Sequence, residues 1–290
     1  MIPGQFDYVR PSDLGEALRI LADREGEAKV LSGGYSLIPL LKLRLAQPGL
    51  LVDIGRVDGL DGITETDDKL IIGARATHRQ IHENPIVADH YPGLHDVSGG
   101  IGDPQVRNWG TIGGSVAHAD PASDWPALLL ALHAQVVCRS VAGERVIAAR
   151  DFFVDTFSTS IAPTEVLTEV HFTRRKRNSG GAYVKLERRV GDFATAGVAA
   201  AVELHGGTIA WAGIGVTGVS PSPFAATHAE QLLVNVPARD EEFRRAGQAA
   251  GAQSEPVSDV RGPAEYKRAM IAELTVRALR AATERALAYA

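Results

Sequence analysis

Two turns built from glycine pairs carry most of the chemistry that this sequence offers. The first, residues 32–36, reads Ser-Gly-Gly-Tyr-Ser, and the second, residues 111–115, reads Thr-Ile-Gly-Gly-Ser. Adjacent glycines let the backbone turn sharply, and the missing Cβ atoms leave successive N–H groups uncovered. Uncovered N–H groups form a concave anion site, and neighbouring hydroxyl groups add further donors to phosphate oxygens. Two such turns in one chain predict a ligand with two phosphates, held between loops.

The composition is that of an ordinary globular protein and argues against polyanionic partners. The chain has 290 residues, of which 45% are hydrophobic and 22% are charged, and its net charge is −5. An acidic chain is a poor general partner for nucleic acid or an anionic membrane. No apolar run approaches the roughly 20 residues of a membrane span. The first residues lack a basic region followed by an apolar core, so we expect a cytoplasmic chain without a signal peptide.

The one cysteine, Cys138, limits the redox centres that this chain can hold. A single thiol cannot form an intrachain disulfide or by itself hold zinc or an iron–sulfur cluster. We expect Cys138 to lie in a strand as a small apolar residue. Asp120 and Asp124 lack the further ligands that a hard cation needs, and the histidines are not spaced as a metal set. The sequence therefore predicts no metal site, and any metal-cluster electron transfer must occur on another chain.

Hydrophobic spacing predicts alternating short helices and strands around the first turn. A strand is predicted at 29–31, directly before the turn, and a helix at 37–45, directly after it. The N–H groups of the turn therefore point at the start of a helix, where an anion is favoured. Thr77 is a predicted cap for another helix. The other elements predicted here are a helix and two strands, at residues 14–21, 50–54 and 70–74.

Residues 90–124 are rich in turn-forming residues and predict a long, partly irregular segment. Such a segment inside a compact domain usually carries function, so most ligand contacts are expected here. An apolar helix follows through residue 132. Asp120 is a candidate cap for its start near Pro121, a role that is compatible with ligand contact.

A change of pattern predicts two domains, at 1–177 and 178–290. The basic run at 174–177 is followed by Asn-Ser-Gly-Gly, a composition typical of a linker. Consecutive strands and then helices follow it, which is the order of an α+β domain. These predicted elements are three strands and a long terminal helix, at residues 182–188, 195–204, 208–217 and 263–289.

Six segments occur in a fixed order along the chain. They are Phe-Asp-Tyr-Val-Arg-Pro at 6–11, Gly-Gly-Tyr-Ser-Leu-Ile-Pro at 33–39, Val-Asp-Ile at 52–54, Val-Arg-Asn-Trp-Gly-Thr-Ile-Gly-Gly at 106–114, Asp-Pro-Ala-Ser-Asp at 120–124 and Tyr-Val-Lys-Leu at 183–186. Together they resemble the FAD-binding medium subunits of the molybdenum hydroxylases, the family of carbon monoxide dehydrogenase and xanthine dehydrogenase. The resemblance implies an α+β chain: a two-part FAD-binding domain of the vanillyl-alcohol-oxidase type, then a smaller α+β domain with helices on an antiparallel sheet. No Gly-x-Gly-x-x-Gly lies between a strand and a helix, so the fold is not expected to be a Rossmann fold.

The resemblance also implies which residues bind FAD. The first turn and the strand before it would cradle the pyrophosphate, through Val30, Leu31, Ser32, Gly33, Gly34, Tyr35 and Ser36. The second turn would close over the phosphates and reach toward the flavin, through Thr111, Gly113, Gly114 and Ser115. The adenosine half would be contacted by Ile101 and Gly102, its ribose by Asp124 and its adenine by Leu167. Lys185 and Phe193 would line the flavin, and Lys29, His118 and Asp120 complete the set.

Two positions depart from the family pattern. Family members commonly carry Asn where this chain has Ser115, and many carry Tyr near Phe193. Phe193 can stack on a flavin ring but cannot form a hydrogen bond to it. These departures leave flavin binding in place and leave the tuning of the flavin open.

By this resemblance the chain is an electron-transfer subunit with no catalytic residue of its own. A large subunit would hydroxylate the substrate at a molybdopterin-type molybdenum cofactor, and a small subunit would pass the electrons across 2Fe-2S clusters. The FAD of this chain would deliver them to a terminal acceptor, in an assembly expected to be a dimer of heterotrimers. Two alternatives stay open: a self-contained FAD-dependent oxidoreductase on the same fold, and a nonredox nucleotide-binding or scaffold protein. The substrate and the acceptor are not predicted.

Overall fold

The computed structural model describes residues 1–289, which begin with a small parallel sheet. Strands β1 (Asp7–Val9), β2 (Ala28–Leu31) and β3 (Leu50–Asp53) form it, with β3 in the middle. Helix α1 (Leu14–Asp23) connects β1 to β2 and buries its apolar face. Strand β2 ends at the first glycine turn, as predicted, so this turn lies at the carboxyl edge of the sheet, next to the end of β3.

Helix α2 (Leu37–Lys42) follows the first turn and is shorter than predicted. The prediction extended it to residue 45, but Arg44 has a φ of 59°. This left-handed conformation ends helices, and the Leu45 N–H bonds back to the Leu40 carbonyl. Only Leu41 of α2 is buried, so most of this helix lies on the surface.

A five-stranded antiparallel sheet forms the centre of the first part of the chain. Its strands, in spatial order, are β4 (Ile63–Glu65), β5 (Lys69–Gly73), β10 (Val166–Thr173), β6 (Gln135–Ser140) and β7 (Gly143–Ala148). Cys138 is buried in β6, as predicted. Between β7 and β10 lie the short helix α9 (Ala149–Phe152) and the hairpin of β8 (Phe153–Asp155) and β9 (Ser158–Thr159).

The segment predicted to be irregular is mostly helical. Six short helices follow β5: α3 (His78–Glu83), α4 (Pro85–His90), α5 (Pro92–Gly100), α6 (Pro104–Trp109), α7 (Ile112–His118) and α8 (Asp124–Ala131). The turn-forming residues mark helix starts, because α4, α5 and α6 each begin with proline, a residue suited to that position. Thr77 caps α3, as predicted. The predicted start of the apolar helix was wrong: Ser123 precedes α8, and the Asp120 carboxylate instead accepts from the Ala122 N–H.

An antiparallel sheet and three helices form the rest of the chain. The strands β11 (Ser179–Leu186), β12 (Ala196–His205), β13 (Thr208–Thr217) and β14 (Phe224–Ala225) pair in that order. Helices α10 (Thr227–Leu233), α11 (Asp240–Gln253) and α12 (Ala264–Ala288) follow, and their apolar residues share a core with the sheet. The predicted α+β class, and its order of strands before helices, are confirmed.

Helix α8 connects the two sheets, and all of its side chains are buried. On one side it shares a core with β6 and β10. On the other it lies against β13, where Gly213 and Gly215 face it. A Cβ at Gly213 would overlap the Ala131 carbonyl, and a Cβ at Gly215 would overlap the Ala127 carbonyl. The two backbones therefore touch directly.

The basic run at 174–177 is not a flexible connection. The Arg175 guanidinium donates to the carbonyl oxygens of His90, Ser179 and Arg285, and it lies 3.9 Å from the centre of the Tyr289 ring. This arginine therefore ties the end of the first sheet to the terminal helix. The division between residues 177 and 178 stays a prediction. None of the helices within residues 1–289 is both long and apolar enough to cross a membrane.

Candidate cofactor site

The two glycine turns lie against each other. The Ser32 Oγ is 3.2 Å from the Thr111 Oγ1, although the two residues are 79 positions apart. A Cβ built on Gly33 would lie 2.0 Å from the carbonyl oxygen of Trp109. Only glycine permits this approach, since any side chain at position 33 would force the two backbones apart. The first turn is thus held at a fixed distance from the segment that leads into the second.

The first turn presents backbone donors that the chain itself does not use. Among the residues that the structure describes, no acceptor receives a bond from the N–H of Gly33, Gly34, Tyr35 or Ser36. Gly34 has a φ of 79°, which reverses the chain just before α2 begins. Buried or half-buried N–H groups normally find a partner. A turn with four free donors therefore fits an anionic ligand, as the sequence predicted.

The second turn is built differently, and the expectation of uncovered N–H groups was wrong there. Thr111 caps helix α7, and its Oγ1 accepts from the Gly114 N–H. The Gly113 N–H donates to the Ala74 carbonyl at 2.9 Å, and the Ser115 N–H donates to the Thr111 carbonyl. The absent Cβ of Gly113 serves packing, because a Cβ there would collide with Ala74. What the second turn can offer a ligand is the hydroxyl groups of Thr111 and Ser115, of which that of Thr111 lies close to the first turn.

Ser115 connects the second turn to helix α8. Its Oγ is 2.8 Å from the Oγ of Ser123, the residue before α8. The carbonyls of Ser123 and Pro121 both accept from the Thr217 hydroxyl of β13. The segment between α7 and α8 is therefore anchored at both ends. The Ser115 hydroxyl, which reaches less far than the Asn side chain common in the family, bonds within the chain.

Lys185 gathers the remaining segments around one buried ammonium group. Its side chain is 7% exposed and its Nζ donates to the carbonyl oxygens of Gly100 and Asp192, each at 2.9 Å. The same Nζ lies 3.1 Å from a carboxylate oxygen of Asp124 and 3.1 Å from one of Glu187. This one side chain thus fixes the end of α5, the start of α8 and the loop after β11.

Asp124 uses both carboxylate oxygens within the chain. One accepts from Lys185 and the other from the buried Tyr183 hydroxyl. Burial raises the pKa of Asp124, while Lys185 and Tyr183 oppose that shift. Burial also raises the pKa of Tyr183 well above its ordinary value, and the Asp124 charge adds to the effect. The ribose contact of Asp124 stays a prediction, and its observed role is to hold Tyr183 and Lys185.

Two glycines join the loop that carries Phe193 to the segment after α5. The Gly102 N–H donates to the Gly191 carbonyl at 2.9 Å, and a Cβ on Gly191 would overlap the Gly102 carbonyl. The Arg107 guanidinium donates to the carbonyls of Ile101 and Gly102, both at 3.0 Å. Phe193 is exposed beyond this contact. Sequence reasoning missed Arg107 and Gly191, although the Gly-Asp pair before Phe193 is a turn signal.

Three further polar residues were predicted to contact the cofactor, namely Lys29, His118 and Asp120. His118 is half-buried at the end of α7, and burial lowers its pKa. The Asp120 charge raises that pKa, and the Lys29 charge lowers it further. The His118 ring packs against Phe157 with 5.1 Å between ring centres. The contacts of Lys29, His118 and Asp120 with the cofactor stay predictions.

Leu167 lies inside the hydrophobic core. It is buried in β10, and the carbonyl of its neighbour Thr168 accepts from the Ala74 N–H behind the second turn. The adenine contact of Leu167 stays a prediction. A cavity of about 510 Å³ lies elsewhere, between β10, β11 and the end of α8, and includes none of the predicted residues.

The predicted residues gather in two places, around the contact of the two glycine turns and around Lys185. We call these two places together the glycine-turn site: residues 32–36, 100–102, 111–124 and 185–193. At one end free N–H groups and hydroxyls suit a diphosphate. At the other end, the exposed Phe193 ring and the buried Lys185 lie beside the close backbone contacts between Gly102 and Gly191. The free N–H groups of the first turn agree with a cofactor that carries a diphosphate, such as FAD.

Comparison with known proteins identifies the family. Residues 4–173 match the family described as the FAD binding domain in molybdopterin dehydrogenase, and residues 181–282 match the carbon monoxide dehydrogenase flavoprotein C-terminal domain. The carbon monoxide dehydrogenase medium chain of Hydrogenophaga pseudoflava is 40% identical, over 98% of this chain and 99% of its own length. The 6-hydroxypseudooxynicotine dehydrogenase complex subunit alpha of Paenarthrobacter nicotinovorans is 39% identical, over 99% and 97%.

A solved structure agrees over the same length. A chain in the structure of carbon monoxide dehydrogenase from Hydrogenophaga pseudoflava superposes with a TM-score of 0.96 at 41% identity, covering 98% of this chain and 99% of that one. The resemblance read from the six sequence segments is thereby confirmed. The chain belongs to the family of FAD-binding medium subunits of the molybdenum hydroxylases and is an oxidoreductase subunit.

Proposed function

We propose that the glycine-turn site holds FAD and that this chain carries electrons from a small iron–sulfur subunit to a terminal acceptor. A large subunit with a molybdopterin-type molybdenum cofactor would be the source of these electrons. The observation that supports the FAD site most directly is the first turn, with four free N–H groups held against a second turn.

The residues of this chain bind and position. The N–H groups of residues 33–36 hold the pyrophosphate, and the hydroxyls of Ser32 and Thr111 fix the distance between the two turns. Lys185 holds the Phe193 loop against Asp124, so the flavin meets a wall that is already formed. Bound FAD would supply the electron-carrying chemistry. This role requires no proton transfer by a side chain of the subunit.

The substrate is determined on another subunit. The relatives named for carbon monoxide and for 6-hydroxypseudooxynicotine resemble this chain to nearly the same extent, at 40% and 39% identity. These two molecules share neither size nor chemistry. Similarity to this chain therefore does not follow the substrate of the relative, which supports a role limited to the electron path.

Purification of the native complex tests this proposal. A tag on this chain would recover its partners, and the absorbance spectrum and metal content of the eluate would be measured. We expect FAD with this chain, together with iron and molybdenum in two further chains. FAD on a solitary chain that a substrate reduces would favour the self-contained oxidoreductase, and an eluate without FAD would contradict the cofactor assignment.

A further inference from the structure

The loop between β11 and β12 presents one exposed aromatic ring on a fixed backbone. Phe193 is 48% exposed. Its N–H donates to the Asp192 carboxylate at 2.8 Å, and its carbonyl accepts from the Arg261 guanidinium at 2.6 Å. The carbonyl of Asp192 accepts from Lys185 at 2.9 Å. Each of the two peptide groups that flank the Cα of Phe193 is therefore bonded to a cation, while the ring itself stays open to contact.

Arg261 reaches this loop from a distant part of the sequence. Its guanidinium lies 3.2 Å from the Asp192 carboxylate, although the two residues are 69 positions apart. The same Asp192 oxygen that accepts from Arg261 also accepts from the Phe193 N–H. Arg261 thus fixes Phe193 in two ways, directly through the Phe193 carbonyl and indirectly through the Asp192 side chain.

The turn that carries Arg261 is itself held on the terminal helix. Asp259 and Gly262 exchange two backbone hydrogen bonds of 3.1 Å, and the Asp259 carboxylate accepts from the Arg261 N–H. Lys267 of α12 is 3% exposed, lies 2.7 Å from the same carboxylate and donates to the Val257 carbonyl. Arg261 therefore extends from an anchored turn, and it connects the exposed ring to α12.

We infer that Arg261 is a positioning residue for the flavin, because it holds the Phe193 ring where a flat ring can stack on it. This inference rests on the proposed function, in which the flavin lies beside the loop of Phe193. Stacking depends on the separation and tilt of the two rings, and a group that meets a cofactor acts best when its supports are already fixed. A partly exposed ion pair contributes little to folding, so the effect of Arg261 falls on the ring that it holds.

The test measures the dissociation constant of FAD from the purified native complex for Arg261→Met, for Phe193→Ala and for the two changes together. Methionine keeps an apolar stem at position 261 and removes the donors. We expect Arg261→Met to weaken FAD binding by about fivefold and to change the visible circular dichroism of the bound flavin. In the Phe193→Ala background, Arg261→Met should have no further effect on either quantity, since the ring through which it acts is gone.

Two further variants serve as controls. Arg277→Met removes an arginine of α12 that is 61% exposed and pairs with Glu273, so FAD binding should stay within about twofold of wild type. Arg261→Lys keeps the charge but loses the planar fork that meets two acceptors, so it should recover only part of the affinity lost in Arg261→Met. Thermal unfolding of each complex shows whether the fold is intact.

Each outcome supports the inference or overturns it. Equal effects of Arg261→Met with and without the Phe193 ring, or no effect at all, would overturn it and leave the proposed function standing. Unchanged FAD affinity and flavin spectrum in Phe193→Ala would also overturn it, because the ring would then lie away from the flavin. A lower melting temperature of Arg261→Met without a change in the flavin spectrum would assign Arg261 a purely structural role. A wild-type complex without FAD would contradict the proposed function itself.

Discussion

Replacement of Gly33 by alanine tests whether the fixed distance between the two turns matters. The added Cβ would lie 2.0 Å from the Trp109 carbonyl oxygen, while ordinary contacts begin at 3.4 Å, so the turns must separate by about 1.4 Å. Overpacking of this kind costs about 1–3 kcal/mol. If the strain is relieved by moving the first turn, FAD affinity should fall by about 5-fold to 150-fold. FAD content and dissociation of the purified complex measure this directly.

Two further substitutions at the same position separate shape from charge. Gly33→Asn and Gly33→Asp have side chains of similar size, but only aspartate adds a negative charge beside the proposed pyrophosphate. Aspartate should therefore bind FAD more weakly than asparagine, and the difference should shrink at high salt. Gly62→Ala is the control, because a Cβ at Gly62 meets no atom within 4 Å. Stoichiometric FAD with unchanged affinity in Gly33→Ala would refute the steric argument, and equal affinities of the Asn and Asp variants would refute the phosphate assignment.

Two other predictions concern buried charge. Lys185→Met should lower the free energy of unfolding by about 3–5 kcal/mol in a urea titration, since it leaves the Asp124 carboxylate buried without its cation; adding Asp124→Asn should recover part of this loss, and a double variant as unstable as the single one would contradict the pairing. The Nδ1 of His78 accepts from the Trp125 indole, and burial lowers the pKa of this histidine to about 3. In the folded chain the His78 imidazole therefore stays neutral, whereas in the unfolded chain it takes up a proton below about pH 6.5. The free energy of unfolding should therefore fall by about 1.4 kcal/mol for each pH unit between pH 6 and pH 4 because of His78. Denaturant titrations should show this slope in the wild type and not in His78→Asn.

The sequence patterns that predicted the fold correctly are those that have a single structural explanation. Strand β2 and the hairpin of β12 and β13 follow from apolar runs ended by glycines. Residues 90–124 were misread because proline and aspartate start helices as readily as they form loops. Which role they take depends on the packing of the next turn, as for α6 after Asp103, and that packing is not visible in a single sequence.

The geometry of the first turn could be predicted from the sequence, and the contacts that support the proposed site could not. The first turn is recognisable because glycine and hydroxyl side chains suffice for its chemistry. The second turn has the same composition, yet its N–H groups bond within the chain because Thr111 caps α7. The roles of Arg107 and Gly191 depend on the approach of segments that are distant in sequence, and no local spacing indicates them.

The direct contact of helix α8 with strand β13 limits how this subunit can be recombined with others. Gly213 and Gly215 lie on one face of the strand, and Ala127 and Ala131 lie on one face of the helix, so the two repeats match along the contact. A hybrid that joins the first part of this chain to the second part of a related subunit would need glycine at both strand positions, whatever its overall identity. Without them the helix that carries Asp124 would lift away from its neighbour. Glycine at these two strand positions, rather than the sequence at the junction, would decide whether such a hybrid could bind its cofactor.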